Sequence, residues 1–151
     1  MEFARRPATA ADCDWLWETK TRCLRRYIEQ TYGVWDDTQR ARFDASFEAE
    51  EFQIITVGGR DAGFTAQRQG AREIQLLNIM IAPEYQNRGL GTAVLRELLA
   101  GARARRQSVR LQVMKVNPAR HLYERLGFVV TEQTPTHFRM LWKPAREAVE
   151  S

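Results

Sequence analysis

The sequence predicts an α/β (α+β) fold with one mixed central sheet of about seven strands and helices on both faces. Strand-like and helix-like segments follow one another in the order β α α β β β α β α β β. The mid-chain run LLNIMIAP is too apolar for an edge strand, and at 85–94, YQNRGLGTAV, it passes through two glycines into a helix-periodic segment. With 151 residues and no repeat or linker, we expect a single domain over residues 1–144 and a flexible tail over 145–151.

The first half of the chain begins with a short predicted strand, EFARR, which Pro7 ends. A helix follows, with Asp12 or Asp14 as its N-cap, and runs at helical spacing to about residue 30 before Gly33 breaks it. A second helix is expected to start at 36–37. These two helices carry most of the large aromatic side chains of the chain, which helical spacing assigns mainly to the core.

Three strands are predicted in the middle of the chain. FQIITV and AGFTAQRQ form a hairpin-like pair across a turn at 58–61, and REIQLLNIMIA is a third, longer strand that Pro83 ends. These segments are rich in β-branched residues, which favours strands over buried helices.

The second half alternates helix and strand. Leu90, Val94 and Leu98 mark one apolar stripe of a helix, and SVRLQVM is a strand with one buried face. Asn117 and the proline after it resemble the N-cap and first position of the next helix, and Gly127 suits its C-terminal end. FVVTEQ and HFRMLWK finish the chain as an antiparallel pair.

The composition argues against membrane-spanning and secreted proteins. No apolar run approaches the roughly 18 residues that a transmembrane helix needs, and the segment MEFARRPATAADCD lacks the apolar core of a secretory signal. We therefore expect a cytoplasmic protein without a membrane partner, either a monomer or a homodimer. Cys13 and Cys23 lie ten residues apart with no histidine near, which predicts free thiols and no metal site.

Arginines give the chain its net charge of +4 and sequence pI of about 9.4. Arg103, Arg105 and Arg106 cluster at the end of the long helix, where a solvated helix end or attraction of a polyanionic ligand explains them. Because the chain shows no groove-reading helix, RNA-binding strand motif or stacking array, we expect no nucleic-acid partner.

The glycine junction at 85–94 has the chemistry of an anion site. The first N–H groups of a helix are unpaired, and glycine lets a phosphate approach the backbone closely. A Walker loop requires a lysine before the hydroxyl residue, and here Gly91 stands directly before Thr92. A dinucleotide fingerprint requires glycine or alanine where this chain has Val94, and it belongs after the first strand of a fold.

A third pattern, Q/R-x-x-G-x-G/A, matches residues 86–91 in full. Here, and in VNPARHLYERLGFVV, the sequence resembles the GNAT superfamily of acyl-CoA N-acyltransferases. The second block resembles N-x-x-A-x-x-x-Y-x-x-x-GF, with Asn117, Tyr123 and 127–128 as the corresponding residues, and departs from it in the middle, where the small residue is Ala119, two positions after the asparagine and not three. The resemblance covers residues 50–143 well and 1–49 poorly.

The resemblance implies that the chain moves an acetyl group from acetyl-CoA to a primary amine. Main-chain amides at 86–91 would hold the pyrophosphate, and backbone N–H groups at 78–81 would meet the acyl carbonyl. The cofactor-binding residues implied in this way are Ile79, Met80, Ile81, Gln86, Asn87, Arg88, Gly89, Leu90, Gly91, Thr92, Asn117 and Arg120. No metal is implied.

Tyr123 is the candidate acid for the departing thiolate, since a phenol is protonated at neutral pH. It also lies on the apolar stripe of its helix, so a core role is the alternative. The general base is uncertain. The position that aligns with the base of some family members is Gln75, which accepts no proton. Glu73, two residues earlier on the same strand face, is the candidate, and a water chain to solvent or a carboxylate of the N-terminal helices is the alternative. His137, in the last strand region, could face the acceptor site.

The acceptor site is the least determined part. Tyr32 and Trp35 flank Gly33 between the two N-terminal helices, where a lid over the acceptor would lie, and Asn78 is the third candidate. The sequence leaves open a small amine, a peptide N-terminus or a lysine side chain. A different class of function, a non-catalytic acyl-CoA-binding sensor or structural domain, also fits the missing base.

Overall fold

The computed structural model describes residues 2–144, so the expected tail at 145–151 lies outside the described residues. The predicted order of strands and helices is confirmed, with three added single-turn 3₁₀ helices at Ala10–Asp12, Ala49–Glu51 and Pro83–Tyr85. The main elements are β1 Ala4–Pro7, α1 Cys13–Tyr32, α2 Asp37–Ser46, β2 Phe52–Val57, β3 Arg60–Gln69, β4 Glu73–Ile81, α3 Leu90–Ala104, β5 Ser108–Met114, α4 Ala119–Arg125, β6 Val129–Gln133 and β7 His137–Trp142.

The strands form one seven-stranded mixed sheet, as predicted, and their order in it is β1-β2-β3-β4-β5-β7-β6. β4 and β5 are parallel, and every other neighbouring pair is antiparallel. Helices cover both faces. Leu95, Leu99 and Phe128 belong to the core on the α3 and α4 side, whereas Leu16 and Phe43 belong to the core on the α1 and α2 side.

Most element boundaries agree with the predictions, including Asp12 at the N-cap of α1, and three details of turns and caps differ. The turn after β2 contains only Gly58–Gly59, both with positive φ, as a two-residue hairpin turn requires. Asp12 stands at the N-cap of α1, but its carboxylate accepts hydrogen bonds from Arg6 instead of capping the helix.

The start of α4 is the third difference. Pro118 occupies the N-cap position that we predicted for Asn117, and the helix begins at Ala119. The Asn117 side chain still supplies a cap, because its Oδ1 accepts from the Ala119 N–H at 2.9 Å. The first backbone bond of this turn, from Arg120 N–H to the Asn117 carbonyl, is long at 3.5 Å, which explains the shift of one residue.

The separation of β4 from β5 is the feature that shapes the site. The two strands pair only where Glu73–Gln75 lie beside Ser108–Arg110. Beyond that point β4 continues to Ile81 with β3 as its neighbour. A bulge at Leu77, between Leu76 opposite Gln67 and Asn78 opposite Ala66, shifts the register just after the strands part. The sheet therefore opens between two of its central strands.

Candidate active site

A groove of 760 Å³ lies at this opening, within the range of about 300–1,000 Å³ for small-molecule and cofactor sites. The end of β4, the glycine turn, α1 and the start of α4 form its walls. Ten of the twelve predicted cofactor-binding residues line it, namely Ile79, Met80, Ile81, Gln86, Asn87, Gly89, Leu90, Gly91, Thr92 and Asn117.

The glycine turn presents unpaired backbone N–H groups to the groove. Asn87 and Gly89 both have left-handed backbone, with φ of 63° and 78°, and Gly89 is the N-cap of α3. Since Ala93 N–H bonds to the Gly89 carbonyl, the N–H groups of residues 90–92 precede the first helical bond. Successive N–H groups at such a turn and the positive end of the α3 dipole favour an anion.

Side chains of α1 and of the turn fix the end of β4. Gln86 Nε2 donates to the Ile81 carbonyl at 2.9 Å, and Cys23 Sγ donates to the same carbonyl at 3.2 Å. Burial raises the pKa of the Cys23 thiol, so this side chain is a neutral donor at pH 7. Arg22 pairs with Glu84 at 2.6 Å, which ties α1 to the single turn after β4.

The α4 wall is a stripe of side chains at helical spacing. Ala119, Leu122 and Arg125 all line the groove, three residues apart, so they share one face of the helix. The capping Asn117 lies at the inner end of this stripe and lines the groove as well. The stripe is apolar near the strand ends and becomes cationic at Arg125.

Tyr123 lies on α4 but is not among the residues that line the groove. The ring is buried at 8% exposure, beside Phe128, in the core that also contacts Ile79, Ala119 and Leu122. Burial raises the pKa of the Tyr123 phenol to about 12, so it stays protonated throughout the neutral range. Burial is the one cause of this shift, and no hydrogen bond to the Tyr123 hydroxyl is formed within residues 2–144.

Two predicted cofactor-binding arginines point elsewhere. The Arg88 guanidinium stands 5.8 Å from the centre of the Tyr85 ring. Arg120 pairs with Glu124 at 3.4 Å and lies 4.7 Å from the centre of the Phe138 ring. Neither lines the groove in this structure.

Glu73, the candidate base, lies at the start of β4, eight residues before its last residue, Ile81. Its carboxylate forms an ion pair with Arg110 at 3.0 Å. Gln75 lines a separate cleft of 280 Å³ on the sheet face, together with Arg110, Gln112 and other residues. The structure therefore does not bring Glu73 into the groove.

The acceptor candidates are dispersed. Asn78 follows the β4 bulge, opposite Ala66 of β3. Tyr32 is the last residue of α1 and is 54% exposed. Trp35 stacks on Trp17 with ring centres 5.5 Å apart, and the Arg25 guanidinium lies 5.7 Å from the centre of the Trp35 ring. Trp35 therefore packs the segment between α1 and α2 against α1.

The sequence interpretation missed the part of the groove that α1 supplies. Arg22, Cys23, Arg26 and Tyr27 line it, together with Tyr85, Pro118, Ala119, Leu122 and Arg125. Cys23 and Tyr27 lie on the face of α1 that packs against the core, and the groove uses that same face where it extends past the sheet. No sequence signal shows which strand end a helix will cross.

Two further properties concern the described residues alone. No helix within 2–144 is long and apolar enough to cross a membrane. Across the same residues, no group of three or more His, Cys, Asp or Glu side chains is placed to hold a metal ion.

Comparison with known proteins places the chain in a family. The sequence model of the "Acetyltransferase (GNAT) domain" matches residues 48–130, which is more than half of the chain. The chain belongs to the GNAT acetyltransferase family. The predicted family and fold are thereby confirmed, and so is the reaction: this GNAT protein is an N-acetyltransferase that uses acetyl-CoA and acts on an amine.

Individual relatives agree with this assignment. The [Ribosomal protein bS18]-alanine N-acetyltransferase of Haemophilus influenzae is 30% identical over 120 residues, covering 79% of this chain and 76% of the relative. The PaiA N-acetyltransferase of Thermoplasma acidophilum, solved in complex with coenzyme A, superposes with a TM-score of 0.73 at 20% identity, covering 95% of this chain and 99% of that one. The ribosomal-protein-S18-alanine N-acetyltransferase of Escherichia coli gives 0.69 at 21% identity and 99% coverage of both chains. At these identities the two structures show a shared fold.

Proposed function

We propose that this GNAT enzyme holds acetyl-CoA in the groove between β4 and β5 and transfers the acetyl group to the N-terminal α-amine of a polypeptide. The observation that carries the placement is the separation of β4 from β5, with the glycine turn at its edge. The unpaired N–H groups of residues 90–92 are suited to the pyrophosphate, and the apolar stripe of Ala119 and Leu122 is suited to the pantetheine arm.

Backbone groups beyond the β4 bulge are our candidates for polarising the acyl carbonyl. After residue 76 the β5 side of β4 has no strand partner, so N–H groups that point to that side lack a ladder acceptor. Such donors are already oriented before charge develops on the oxygen, which is how an oxyanion is stabilised without reorganisation. Residues 78–81 supply them in this proposal, and Asn78 stands nearest the bulge.

Tyr123 is our candidate for protonating the departing thiolate. Its phenol is neutral at pH 7, because burial raises its pKa to about 12, and its hydroxyl proton is not committed to another described residue. A group in that state can donate a proton as the thioester breaks. Tyr123 follows groove-lining Leu122 on α4, and its ring packs in the core that Leu122 also contacts.

The acceptor class follows from amine chemistry and from the 30%-identical relative, whose name specifies a ribosomal-protein alanine. An α-amine has a pKa of about 7.7–8.0, against about 10.4 for a lysine, so much more of it is neutral at pH 7.5. Such an acceptor depends little on a strong general base. This suits a chain in which the candidate base, Glu73, is paired with Arg110 away from the groove.

The test uses three peptides of one sequence that begins with alanine and contains one internal lysine. The first has free amines, the second has a blocked N-terminus, and the third has a blocked lysine. We expect acetylation of the first and third peptides at the α-amine, seen by mass spectrometry together with release of free CoA. Transfer to the peptide with the blocked N-terminus would overturn the proposed acceptor class.

A binding measurement tests the placement of acetyl-CoA in the groove independently of the acceptor class. Acetyl-CoA at a hundred times its Kd should stabilise the fold by about 2.7 kcal/mol, and NAD should not. A shift with acetyl-CoA but no transfer to any peptide would leave the groove placement intact and exclude the α-amine.

We retain as predictions a cytoplasmic location, a monomer or homodimer, and no nucleic-acid or membrane partner; light scattering during size-exclusion chromatography tests the oligomeric state.

A further inference from the structure

Arg125 is the outermost residue of the α4 stripe that lines the groove. Ala119, Leu122 and Arg125 share one face of α4, and the stripe begins beside the capping Asn117, at the end of β5. Six residues of helix advance about 9 Å along the axis, so Arg125 carries its charge well away from the strand ends. An acetyl group bound at the end of β4 would lie at the other end of this stripe.

The charge of Arg125 is not engaged in an ion pair within the part of the chain that the structure describes. Of the other arginines that line the groove, Arg22 pairs with Glu84, and Arg26 donates to the Tyr27 hydroxyl at 2.6 Å. The carboxylate next to Arg125 in sequence, Glu124, pairs with Arg120. Among the groove arginines, Arg125 is therefore the one that forms neither an ion pair nor a side-chain hydrogen bond within residues 2–144, and its guanidinium is open to an anionic ligand.

The chemistry of CoA supplies an anion for this position. CoA carries a pyrophosphate and, on the ribose of its adenosine, a separate 3′-phosphate whose charge at pH 7 is near −2. The N–H groups at the start of α3 suit the pyrophosphate. A second phosphate at the outer part of the groove calls for a separate cation, and a guanidinium matches phosphate oxygens in a bidentate manner.

We propose that Arg125 binds the 3′-phosphate of CoA and makes the enzyme discriminate CoA from dephospho-CoA, which lacks only that phosphate. This inference rests on the proposed placement of acetyl-CoA in the groove. Because Arg125 is exposed, solvent and salt screen the pair, and we expect a moderate effect that grows as ionic strength falls.

The test measures Kd for CoA and for dephospho-CoA by calorimetry with the wild-type protein, Arg125→Gln, Arg125→Lys and the control Arg96→Gln. Arg96 is exposed on α3 and does not line the groove, so its substitution removes the same charge elsewhere. We expect the wild type and the control to prefer CoA by about tenfold. Arg125→Gln should bind CoA about tenfold more weakly and dephospho-CoA within about twofold of wild type, with Arg125→Lys in between.

Two results would overturn the inference. The first is that Arg125→Gln weakens the binding of both ligands by the same factor. The side chain would then contact the pyrophosphate or support the fold, and unfolding curves decide which. Alternatively, wild type binds both ligands equally. If neither CoA nor dephospho-CoA binds the wild-type protein, the proposed placement of acetyl-CoA in the groove fails. That result differs from a failure of the Arg125 inference alone, in which the wild-type protein still binds CoA.

Discussion

Gln86 closes the glycine turn onto the strand before it. Its side-chain Nε2 donates a hydrogen bond of 2.9 Å to the main-chain carbonyl of Ile81, the last residue of β4. The first position of the Q/R-x-x-G-x-G/A pattern thus has a structural role here, since its side chain sets the angle at which the turn leaves the sheet. The N–H groups that follow are aimed into the groove as a consequence.

Replacement of Gln86 by alanine should therefore weaken acetyl-CoA binding more than it weakens the fold. The lost hydrogen bond is partly exposed and contributes about 0.5–1.5 kcal/mol to folding. We expect Kd for acetyl-CoA to rise by about three- to tenfold, because a looser turn must be ordered on binding. Calorimetry and urea unfolding measure the two effects. An unchanged Kd with a large loss of stability would contradict this role for Gln86.

Substitution by alanine should change the free energy of unfolding in opposite directions at the two glycines of the turn. Gly89 has φ of +78°, where a side chain is strained even though an added Cβ would meet nothing within 4 Å. Gly91 lies inside α3 with helical backbone, and its Cβ would meet the Ile81 side chain at an ordinary 3.6 Å. We expect Gly89→Ala to lower the free energy of unfolding by about 1–2 kcal/mol and Gly91→Ala to raise it by about 0.5–1 kcal/mol.

Urea unfolding of the wild type and both variants measures these changes in the free energy of unfolding. Because both substitutions add one methyl group, each variant is the control for the other. Acetyl-CoA binding should survive in Gly91→Ala within a few-fold, since the family pattern allows alanine at this position. A loss of stability in Gly91→Ala equal to that in Gly89→Ala would show that crowding, and not backbone conformation, decides the effect.

The sequence was sufficient for local features and failed where distant segments meet. Residues 86–91 could be identified because a strand, a turn and a helix start are all encoded locally, and Gly33 ends α1 for the same reason. The partner of Glu73 could not be identified, because Arg110 reaches it only through the parallel pairing of β4 with β5.

Side-chain direction was the second limit. Trp35 was placed over the acceptor from its position between helices, yet its ring stacks on Trp17, a residue of α1 more than four turns from the end of that helix. Arg120 and Arg125 lie on the same short helix and differ in which face they occupy.

Tyr123→Phe tests the acid role separately from the core role. The phenol hydroxyl has no hydrogen-bond partner among residues 2–144, so phenylalanine should keep the core and change the free energy of unfolding by less than about 1 kcal/mol. We expect kcat to fall by about 10²-fold or more, with Kd for acetyl-CoA unchanged. Release of the CoA thiol gives kcat, and calorimetry gives Kd.

The pH dependence provides the check on that result. Since burial raises the pKa of the phenol to about 12, wild-type kcat should show no loss from phenol ionisation up to about pH 10. A variant that retains full kcat would leave Tyr123 as a core residue and assign thiolate protonation to solvent.

The ion pairs of Arg6 should make stability depend on pH below neutrality. Arg6 donates to both oxygens of Asp12, at 2.9 and 3.0 Å, and also pairs with Asp61. The hydrogen bonds from Arg6 hold the pKa of Asp12 below its usual range, helped by the Thr9 N–H. Because the folded pKa is lower than the unfolded one, this stabilisation is present above the unfolded pKa of about 3.9 and is lost as the pH falls through the folded pKa.

Asp12→Asn removes the charge and keeps an oxygen for the Thr9 N–H. We expect it to lower the free energy of unfolding by about 1–3 kcal/mol at pH 7 and at pH 5, since a charged partner of Arg6 is gone. The difference from wild type should shrink below pH 4, where the wild-type carboxylate takes up a proton on unfolding. Urea unfolding at pH 7, 5 and 3.5 measures this, with Glu18→Gln on the exposed face of α1 as the control. A difference that stays constant down to pH 3.5 would mean that Asp12 stabilises the fold by packing alone.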